Sequence, residues 1–392
     1  MNICQIVPRF PYFENIEKNI VENEYHIGGV ERHVLELSAE LIKRGHSITI
    51  ITTKSPNHLK FKEIHGFKVK RIPYGISLYS SSIPLSIYKY FNPNEYDLIH
   101  AHTPTPLIAD LSCLINRKKV PFILTYHNDI SKNGNIGSSI SCVYNLSFGR
   151  FLLKNSDIII ATTLNYANKS ERLKHFKSKI RIVPNGTNLN KFKPTVDNVQ
   201  VRRKYNLPLD STIVLFIGAL EEYKGINYLM SAFSKVLKFY DNCYLLIGGS
   251  GKQLGNLSSL SESLKIQKNV IFSGFIHEDE LPYYYSASDI FVLPSISEKE
   301  GFGIVQLEAM SSGKPVICSD LAGVNEVDTD NVASIKFQPK DDESLANAIL
   351  MLIRDREMAR KLGQNGRNLI EQKYSWRRVA ELTEQIYEEV LL

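Results

Sequence analysis

The sequence has no apolar run long enough to span a membrane. A spanning helix needs about 20 consecutive apolar residues, and no stretch of the chain approaches that length. The chain opens with MNICQIVPRF, which contains neither a basic leader nor a long apolar segment. We therefore expect a cytoplasmic protein that at most lies on the surface of a membrane.

Cysteine is also scarce. The five cysteines are scattered, and their spacing is typical of neither a disulfide framework nor a metal site. No group of histidines and aspartates shows the spacing of metal ligands either. This composition favours a reducing compartment and gives no sign of a bound metal.

Short apolar runs alternate with longer amphipathic segments along most of the 392 residues. At about 150 residues per domain, this length favours two or three domains, and the pattern favours two. Strands are predicted at 2–7, 47–53, 67–72, 97–102, 121–127, 157–163 and 180–184, and then at 212–218, 243–249, 269–274, 289–294 and 315–320. The polar stretch NGTNLNKFKPTVDN between the two series is typical of a linker. We predict two doubly wound parallel sheets, with ligands bound in a cleft at their carboxyl ends.

One stretch after a predicted strand, SEKEGFGIVQLEAMSSGKPVICSD, places Glu300 and Glu308 eight positions apart. A helix is predicted from Ile304, and the N–H groups near Gly303, Ile304 and Val305 can bind a phosphate. A carboxylate beside a phosphate is repelled by it and should bind hydroxyl groups instead. Ribose hydroxyls for Glu308 and sugar hydroxyls for Glu300 would make the ligand a nucleotide-diphosphate sugar. The alternative is two surface carboxylates around an ordinary loop.

The motif EGFGIVQLEAM, followed by SSGKPVICSD and AGVNEV, resembles the Glu-x7-Glu signature of the retaining GT-B glycosyltransferases of glycosyltransferase family 4. The resemblance extends to GGVERHVLELSAELIKRGH, HAHTP, VPNGTN, IGALEEYKGINYLMSAF, LLIGGSG and GFIHEDELPYYYSASDIFVLPS. It thus covers nearly the whole chain. It implies an α/β GT-B fold, with two Rossmann-like domains facing across a cleft. It also implies transfer of a sugar from a nucleotide-diphosphate sugar with retention of the anomeric configuration.

The resemblance assigns a role to each part of the chain. Residues 1–190 are the expected acceptor-side domain, and residues 191–372 are the expected nucleotide-sugar-binding domain. Residues 373–392 form a final helix that we expect to pack on the first domain. This family typically needs no metal for the transfer, so no cofactor is expected.

Three catalytic residues follow from the resemblance: His127, Lys224 and Glu300. Lys224 is expected to contact the donor diphosphate and His127 to face the donor sugar. Without the resemblance, the lysine would be a solvated residue and the histidine a structural one, as we also interpret His100 and His102. The family usually has Gly-Arg-Leu where this chain has Ala219 between Gly218 and Leu220, so one expected cation is missing. Either Lys224 and the helix N–H groups suffice, or another residue such as Arg32 contributes.

A larger set of residues is expected to bind the donor. Glycines at the start of a helix allow close approach of the backbone to a ligand, and the loop after NVIFSG should contact the base. The set is Gly28, Gly29, Gly249, Phe275, Ile276, Gly301, Phe302, Gly303, Ile304, Val305 and Glu308.

Charge is distributed unevenly along the chain. Residues 1–190 carry 24 Lys and Arg against 14 Asp and Glu, whereas the whole chain carries 47 against 41. Basic runs occur at 60–62, 68–71, 117–119 and 169–181; any single run is typical of a solvated face. Together they favour docking on an anionic cytoplasmic membrane face and a lipid-linked or envelope glycan acceptor. Nucleic acid is not expected, because no stacking platform accompanies the charge.

Two functions from other classes stay open. A nucleotide-sugar epimerase shares the two-domain architecture but would not be expected to carry the Glu-x7-Glu arrangement. A non-catalytic partner subunit of a glycosyltransferase complex would tolerate the loss of site residues, and Ala219 is a hint of such loss. The presence of His127, Lys224, Glu300 and Glu308 favours the enzyme.

Overall fold

The computed structural model describes residues 1–10, 28–53, 61–64, 66–73, 76–78, 81–103, 107–127 and 141–392. The chain divides into two compact units. The first comprises Met1–Asn185 together with Trp376–Leu392, and the second comprises Gly186–Ser375. Each unit is an α/β body built around its own sheet.

The first unit contains an eight-stranded sheet in the order β10-β9-β8-β7-β1-β2-β4-β3. Seven strands are parallel, and β3 pairs antiparallel with β4 at the edge. A separate antiparallel pair is formed by β5 and β6, and neither this pair nor β3 was predicted. The strands are β1 (Asn2–Ile6), β2 (Ser47–Thr53), β3 (Phe61–Ile64), β4 (Phe67–Ile72), β5 (Ile76–Leu78), β6 (Ser81–Ile83), β7 (Leu98–Thr103), β8 (Phe122–Tyr126), β9 (Ile158–Ala161) and β10 (Ile180–Ile182).

Helices connect these strands. They are α1 (Gly29–Lys43), α2 (Ile87–Tyr90), α3 (Ile108–Asn116), α4 (Arg150–Asn155) and α5 (Leu164–Lys169). The described residues of the first unit up to Asn185 also contain two 3₁₀ segments, Pro93–Glu95 and Leu173–Lys179, and one π-helical segment, Asn145–Gly149.

The second unit contains a six-stranded, wholly parallel sheet in the order β13-β12-β11-β14-β15-β16. Its strands are β11 (Thr212–Ile217), β12 (Cys243–Gly248), β13 (Val270–Gly274), β14 (Ile290–Leu293), β15 (Val316–Ser319) and β16 (Ser334–Phe337). Its helices are α6 (Val199–Lys204), α7 (Ile226–Val236), α8 (Leu254–Ser263), α9 (Leu281–Ala287), α10 (Ile304–Ser311), α11 (Asp342–Arg354) and α12 (Arg356–Lys373), with 3₁₀ turns at Glu222–Lys224 and Asn325–Asp328. The edge strand β16 was not predicted.

Central strands of both sheets are nearly continuous apolar runs, as expected where helices cover both faces of a parallel sheet. In β11, for example, every residue of TIVLFI is buried. The predicted fold class, with two doubly wound α/β domains, is confirmed. Within the described residues, no helix is both long and apolar enough to cross a membrane.

The last helix, α13 (Trp376–Leu391), belongs to the first unit. Trp376, Val379 and Tyr387 share one hydrophobic cluster with Ile3 and Leu37 of that unit. The chain therefore returns to the first unit after completing the second.

The stretch predicted as a linker is in part packed against the second unit. Phe192 is only 2% exposed and belongs to a core cluster of that unit. Its carbonyl accepts hydrogen bonds from the hydroxyl of Ser311 and from Nη1 of Arg367, at 2.7 and 2.8 Å. The division between the two units does fall within the predicted stretch, at Asn185 and Gly186, and one apolar side chain and one carbonyl dock its later part on the second unit.

Candidate active site

Lys224 lies in a tight turn at the carboxyl end of β11. The turn ends at Gly225, whose φ of +66° is in the left-handed region that favours glycine. The N–H of Ile296 donates to the carbonyl of Tyr223 at 2.8 Å, which ties the turn to the loop after β14. Lys224 is thereby held beside the loop that carries Glu300.

Replacing Gly225 with alanine is expected to destabilise the second unit. A Cβ here would lie 2.1 Å from the carbonyl oxygen of Pro294, and the left-handed backbone alone costs about 1–3 kcal/mol for other residues. Urea unfolding should show at least that loss. The matched control is Gly255→Ala, because a Cβ at this helical position meets nothing within 4 Å and should leave stability unchanged or raise it by about 0.5–1 kcal/mol. Equal midpoints for the two variants would contradict the interpretation of the turn.

Lys224 and Glu300 form a buried ion pair. Their Nζ and Oε2 atoms lie 2.5 Å apart, and each residue is 8% exposed. The hydroxyl of Ser295 donates to the same carboxylate oxygen at 2.8 Å. Burial lowers the pKa of Lys224, but the Glu300 carboxylate together with the Tyr223 hydroxyl more than reverses this, so the net shift is upward. The lysine is therefore a fixed, charged group at neutral pH.

The Gly-Phe-Gly turn after Glu300 is shaped by close packing. Gly303 has a φ of +71°, and a Cβ there would lie 2.6 Å from Leu293 Cδ2. The side-chain amide of Gln306 donates to the carbonyls of Phe302 and Val324, at 2.8 and 3.1 Å. These contacts fix the start of α10, whose first N–H groups have no partner within the helix.

Glu308 is held inside the second unit. It is 3% exposed, and its Oε2 accepts a hydrogen bond from the hydroxyl of the fully buried Tyr285 at 2.7 Å. Tyr285, in α9, was not among the predicted site residues. The DELPYYYSASD segment was noted only for its resemblance to the family, and nothing in its spacing distinguished this tyrosine from its two neighbours. The contact of Glu308 with a ribose remains a prediction.

Glycines line the carboxyl ends of β11 and β12. At Gly249, with a φ of +135°, a Cβ would lie 1.9 Å from the carbonyl oxygen of Gly218. At Gly251 a Cβ would lie 2.4 Å from the carbonyl oxygen of Leu220. The two loops therefore pack backbone against backbone. Ala219 belongs to the loop after β11 and is exposed, so the residue that replaces the expected arginine adds no charge there.

The predicted base-contacting residues differ in exposure. Phe275 is 49% exposed, and its ring packs edge-to-face against His277 with centroids 5.3 Å apart. Ile276 is 6% exposed and packs under Gly248 in the core. Only the backbone of Ile276 is thus placed to contact a base, whereas Phe275 offers its ring.

Gly28 and Gly29 lie at the start of α1 in the first unit. Gly28 has an ordinary φ of −78°, and the nearest atom to a Cβ there would be a carboxylate oxygen of Glu31, at 2.5 Å. Burial raises the pKa of Glu31, while hydrogen bonds from the N–H groups of Glu31 and Gly28 oppose that rise. A carboxylate thus already occupies this helix start, and donor binding by the glycines would have to displace it. That binding remains a prediction.

His127 follows β8 and lies in a cluster of three histidines within the first unit. His33 is in α1 and His102 is in β7, and one ring nitrogen from each of the three residues lies within 4.8 Å of the others. Burial lowers the pKa of His33 to about 4 and the pKa values of His102 and His127 well below their usual value. All three rings are therefore neutral at physiological pH.

Sequence reasoning missed this cluster. His102 was interpreted as structural, and His33 was not considered. No spacing along the chain could have shown the grouping, because the three histidines come from separate elements that adjoin only in the folded sheet.

Comparison with known proteins agrees with this architecture. Residues 27–191 match a family model described as Glycosyltransferase Family 4, and residues 197–369 match one described as Glycosyl transferases group 1. Sucrose-phosphate synthase from Thermosynechococcus elongatus superposes with a TM-score of 0.77 at 24% identity, covering 99% of this chain and 98% of that one. This likeness shows the fold, which is the GT-B fold.

Two curated relatives also span most of this chain. One is the alpha-monoglucosyldiacylglycerol synthase of Streptococcus pneumoniae, 28% identical over 83% of this chain and 75% of its own length. The other is the N-acetyl-alpha-D-glucosaminyl L-malate synthase of Bacillus anthracis, 25% identical over 93% of this chain and 95% of its own.

The fold and the matches define the class of this protein: it is a GT-B glycosyltransferase. Within that class it resembles family 4, whose model matches its first half, and its second half matches the group 1 model.

Proposed function

We propose that the chain is a retaining glycosyltransferase that transfers a sugar from a nucleotide-diphosphate sugar to a lipid-linked or envelope glycan acceptor. The observation that carries the proposal is the buried Lys224–Glu300 pair beside the glycine-bounded start of α10. A lysine cation and unpartnered helix N–H groups suit a diphosphate. A carboxylate suits sugar hydroxyls, because an ionised carboxylate only accepts hydrogen bonds.

Donor binding would rearrange this pair. As the diphosphate approaches, Lys224 turns from Glu300 toward the phosphate oxygens. Glu300 then keeps the hydrogen bond from Ser295. In place of the bond from the lysine, it accepts hydrogen bonds from hydroxyl groups of the donor sugar. The pair thus keeps both charges partnered before the donor arrives, when an unpaired buried charge would be costly.

Further proposed donor contacts lie in the second unit as well. The Glu308 carboxylate, oriented by Tyr285, would accept hydrogen bonds from both ribose hydroxyls. The exposed ring of Phe275 would pack against the base. The glycines after β11 and β12 allow the two loops to pack backbone against backbone at the sheet edge where the donor would bind.

The chemical step places charge on the departing diphosphate. When the bond between the anomeric carbon and the diphosphate oxygen breaks, Lys224 and the N–H groups of α10 offset that charge, and fixed groups in a dry site do this effectively. The neutral ring of His127 would hydrogen-bond a donor sugar hydroxyl. We propose that the transfer needs no metal.

A donor screen tests the function. Purified protein is incubated with a panel of nucleotide-diphosphate sugars, and released nucleoside diphosphate is measured with and without acceptor lipids and glycans. Transfer, or slow donor hydrolysis, supports the enzyme, and NMR of the product's anomeric centre should show the donor's configuration. An isomerised donor would instead indicate the epimerase. Inactivity with every donor would favour a non-catalytic partner subunit, the alternative that the loss of the expected arginine at Ala219 suggested.

The membrane part of the proposal has support from the surface of the first unit. The segment 141–155 exposes Val143, Leu146 and Phe148, at 68%, 71% and 48%. Exposed Arg150 and Lys154 follow on the same segment. An apolar group next to cations is typical of a surface that lies in the interface of an anionic bilayer. The name of the Streptococcus relative gives a glycosylated diacylglycerol as its product, and we infer an acceptor of similar character here.

The basic runs contribute unequally to this surface. Lys118 and Lys119 are exposed, but Arg71 is only 7% exposed, and its guanidinium donates to the Phe10 carbonyl at 2.9 Å. Arg71 was therefore wrongly counted as part of a solvated face. Run 60–62 lies outside the residues whose side chains are described.

Vesicle sedimentation should distinguish this surface from the rest of the molecule. We expect binding to anionic vesicles at low salt, weaker binding at high salt, and weak binding to neutral vesicles. Leu146→Glu should reduce binding, because a carboxylate is repelled by an anionic interface. The matched control Leu209→Glu changes an equally exposed leucine, at 72%, in the second unit and should bind like the unmodified protein. Salt-insensitive binding to both lipids, or binding to neither, would point to a soluble acceptor such as the malate in the Bacillus relative's name.

A further inference from the structure

The three clustered histidines of the first unit have the arrangement of a metal site. Nδ1 of His102 and Nε2 of His127 lie 3.4 Å apart, and the ring centroids of His33 and His127 lie 4.8 Å apart. His33 and His102 are 3% and 0% exposed. Imidazole nitrogens that share one tetrahedral ion with bonds of about 2.0–2.1 Å lie about 3.3–3.4 Å apart, which is the separation of the His102 and His127 nitrogens.

Hydrogen bonds on the far side of two rings determine where their protons lie. Nδ1 of His33 contacts Oδ1 of Asn185 at 2.9 Å, and Nε2 of His102 contacts Oε1 of Gln5 at 2.7 Å. Because a carboxamide oxygen only accepts, both of these ring nitrogens carry hydrogen. In a neutral ring the other nitrogen then carries a lone pair. This leaves lone pairs on Nε2 of His33 and on Nδ1 of His102.

The outer contacts are also those of a metal centre. Metal-bound histidines typically donate their second N–H to a carbonyl or carboxylate oxygen, which fixes the ring and its tautomer. Asn185 and Gln5 fill that role, and Gln5 is itself held by Tyr387, whose hydroxyl accepts from Nε2 of the glutamine at 3.2 Å. The side chains that position these ring nitrogens thus come from three places in the first unit. Gln5 is in β1, Asn185 is the last residue of the Met1–Asn185 segment, and Tyr387 is in α13.

We propose that His33, His102 and His127 bind one divalent transition-metal ion of the zinc type. Neutral imidazole is a preferred ligand of such ions, whereas Mg²⁺ and Ca²⁺ prefer oxygen. Three protein ligands leave the fourth position open to water or another small ligand. His127 is only partly buried, so solvent reaches at least one member of the cluster.

The site goes beyond the proposed transfer reaction and does not depend on it. The transfer itself needs no ion, and ion binding requires no donor. An ion would hold Nε2 of His127 and so compete with any hydrogen bond between that nitrogen and a sugar. The alternative is a metal-free cluster in which a hydrogen bond connects Nδ1 of His102 and Nε2 of His127.

Cobalt provides a direct probe of this site. The full-length protein is treated with a chelator, dialysed and titrated with Co²⁺, whose visible absorption is intense when its coordination is tetrahedral. We expect that absorption to saturate at one ion per chain, to be abolished by Zn²⁺ and to be unaffected by Mg²⁺. Mass spectrometry of the zinc-loaded protein should give the same stoichiometry.

Variants assign the binding to these side chains. His33→Ala should abolish the cobalt spectrum, and Asn185→Ala should weaken Zn²⁺ binding by about 10- to 100-fold, because it only orients His33. His175→Ala changes an exposed histidine in the Leu173–Lys179 segment and should bind as before. A folded protein with no cobalt spectrum and no heat of zinc binding would overturn the proposal. Unchanged zinc affinity in a folded Asn185→Ala variant would also overturn it, even if His33→Ala failed to fold.

Discussion

Replacing Lys224 with alanine is expected to lower kcat by about 10²- to 10³-fold, the loss typical when one fixed donor to a developing anion is removed. Lys224 lies against Glu300 before the donor binds, so part of its interaction with the ground-state diphosphate is offset by the contact that it gives up. The departing diphosphate gains charge as the bond breaks and attracts the lysine more strongly. KM for the donor should therefore change less than kcat.

Initial rates at saturating donor, measured as released nucleoside diphosphate, provide the readout. The matched control is Lys235→Ala, which removes another paired lysine of the same unit, one that contacts Asp342 and Glu343 near the surface. Its rate should equal that of the unmodified protein. Because Lys224→Ala leaves Glu300 buried without its cation, thermal unfolding of each variant must accompany the kinetics. A folded Lys224→Ala protein with a raised KM and unchanged kcat would make Lys224 a binding residue only.

Replacing Glu308 with alanine is expected to weaken the binding of free nucleoside diphosphate by about 10- to 150-fold. Each hydrogen bond to a charged group contributes about 1.5–3 kcal/mol, so this range corresponds to the loss of one of the two proposed bonds to the ribose and is a minimum if both are lost. The loss would appear in calorimetry with the nucleoside diphosphate alone, so neither the acceptor nor the sugar needs to be known.

Tyr285→Phe separates binding from orientation at this position. It removes the hydroxyl that donates to Glu308 at 2.7 Å but leaves the carboxylate in place. We expect a weakening clearly smaller than for Glu308→Ala. Equal effects of the two variants would indicate that the loss comes from disturbed packing between α9 and α10. Unchanged affinity in Glu308→Ala would make Glu308 a structural residue held by Tyr285.

Much of the fold could be predicted because its signals are local. An apolar run such as TIVLFI needs both faces covered, which favours a parallel strand wherever it occurs. The start of α10 was predictable for the same reason, since Gly303 precedes an apolar helical pattern. Strands β3 and β16 were missed because both are short edge strands. Such a strand is identified by its pairing with the next strand in the sheet, and its own residues carry little signal. Phe192 was missed as a core residue because its neighbours in the sequence are polar and are typical of a linker.

The sequence by itself determined the two-sheet architecture, the glycine-bounded turn before α10 and the presence of Lys224, Glu300 and Glu308, because each depends on residues close together in the chain. Only the tertiary structure decided which side chains meet. It paired Lys224 with Glu300, placed Tyr285 on Glu308, buried Arg71 and gathered His33, His102 and His127. The physical reason is that a parallel sheet brings together the ends of strands that are far apart in sequence, and no spacing along the chain records that proximity.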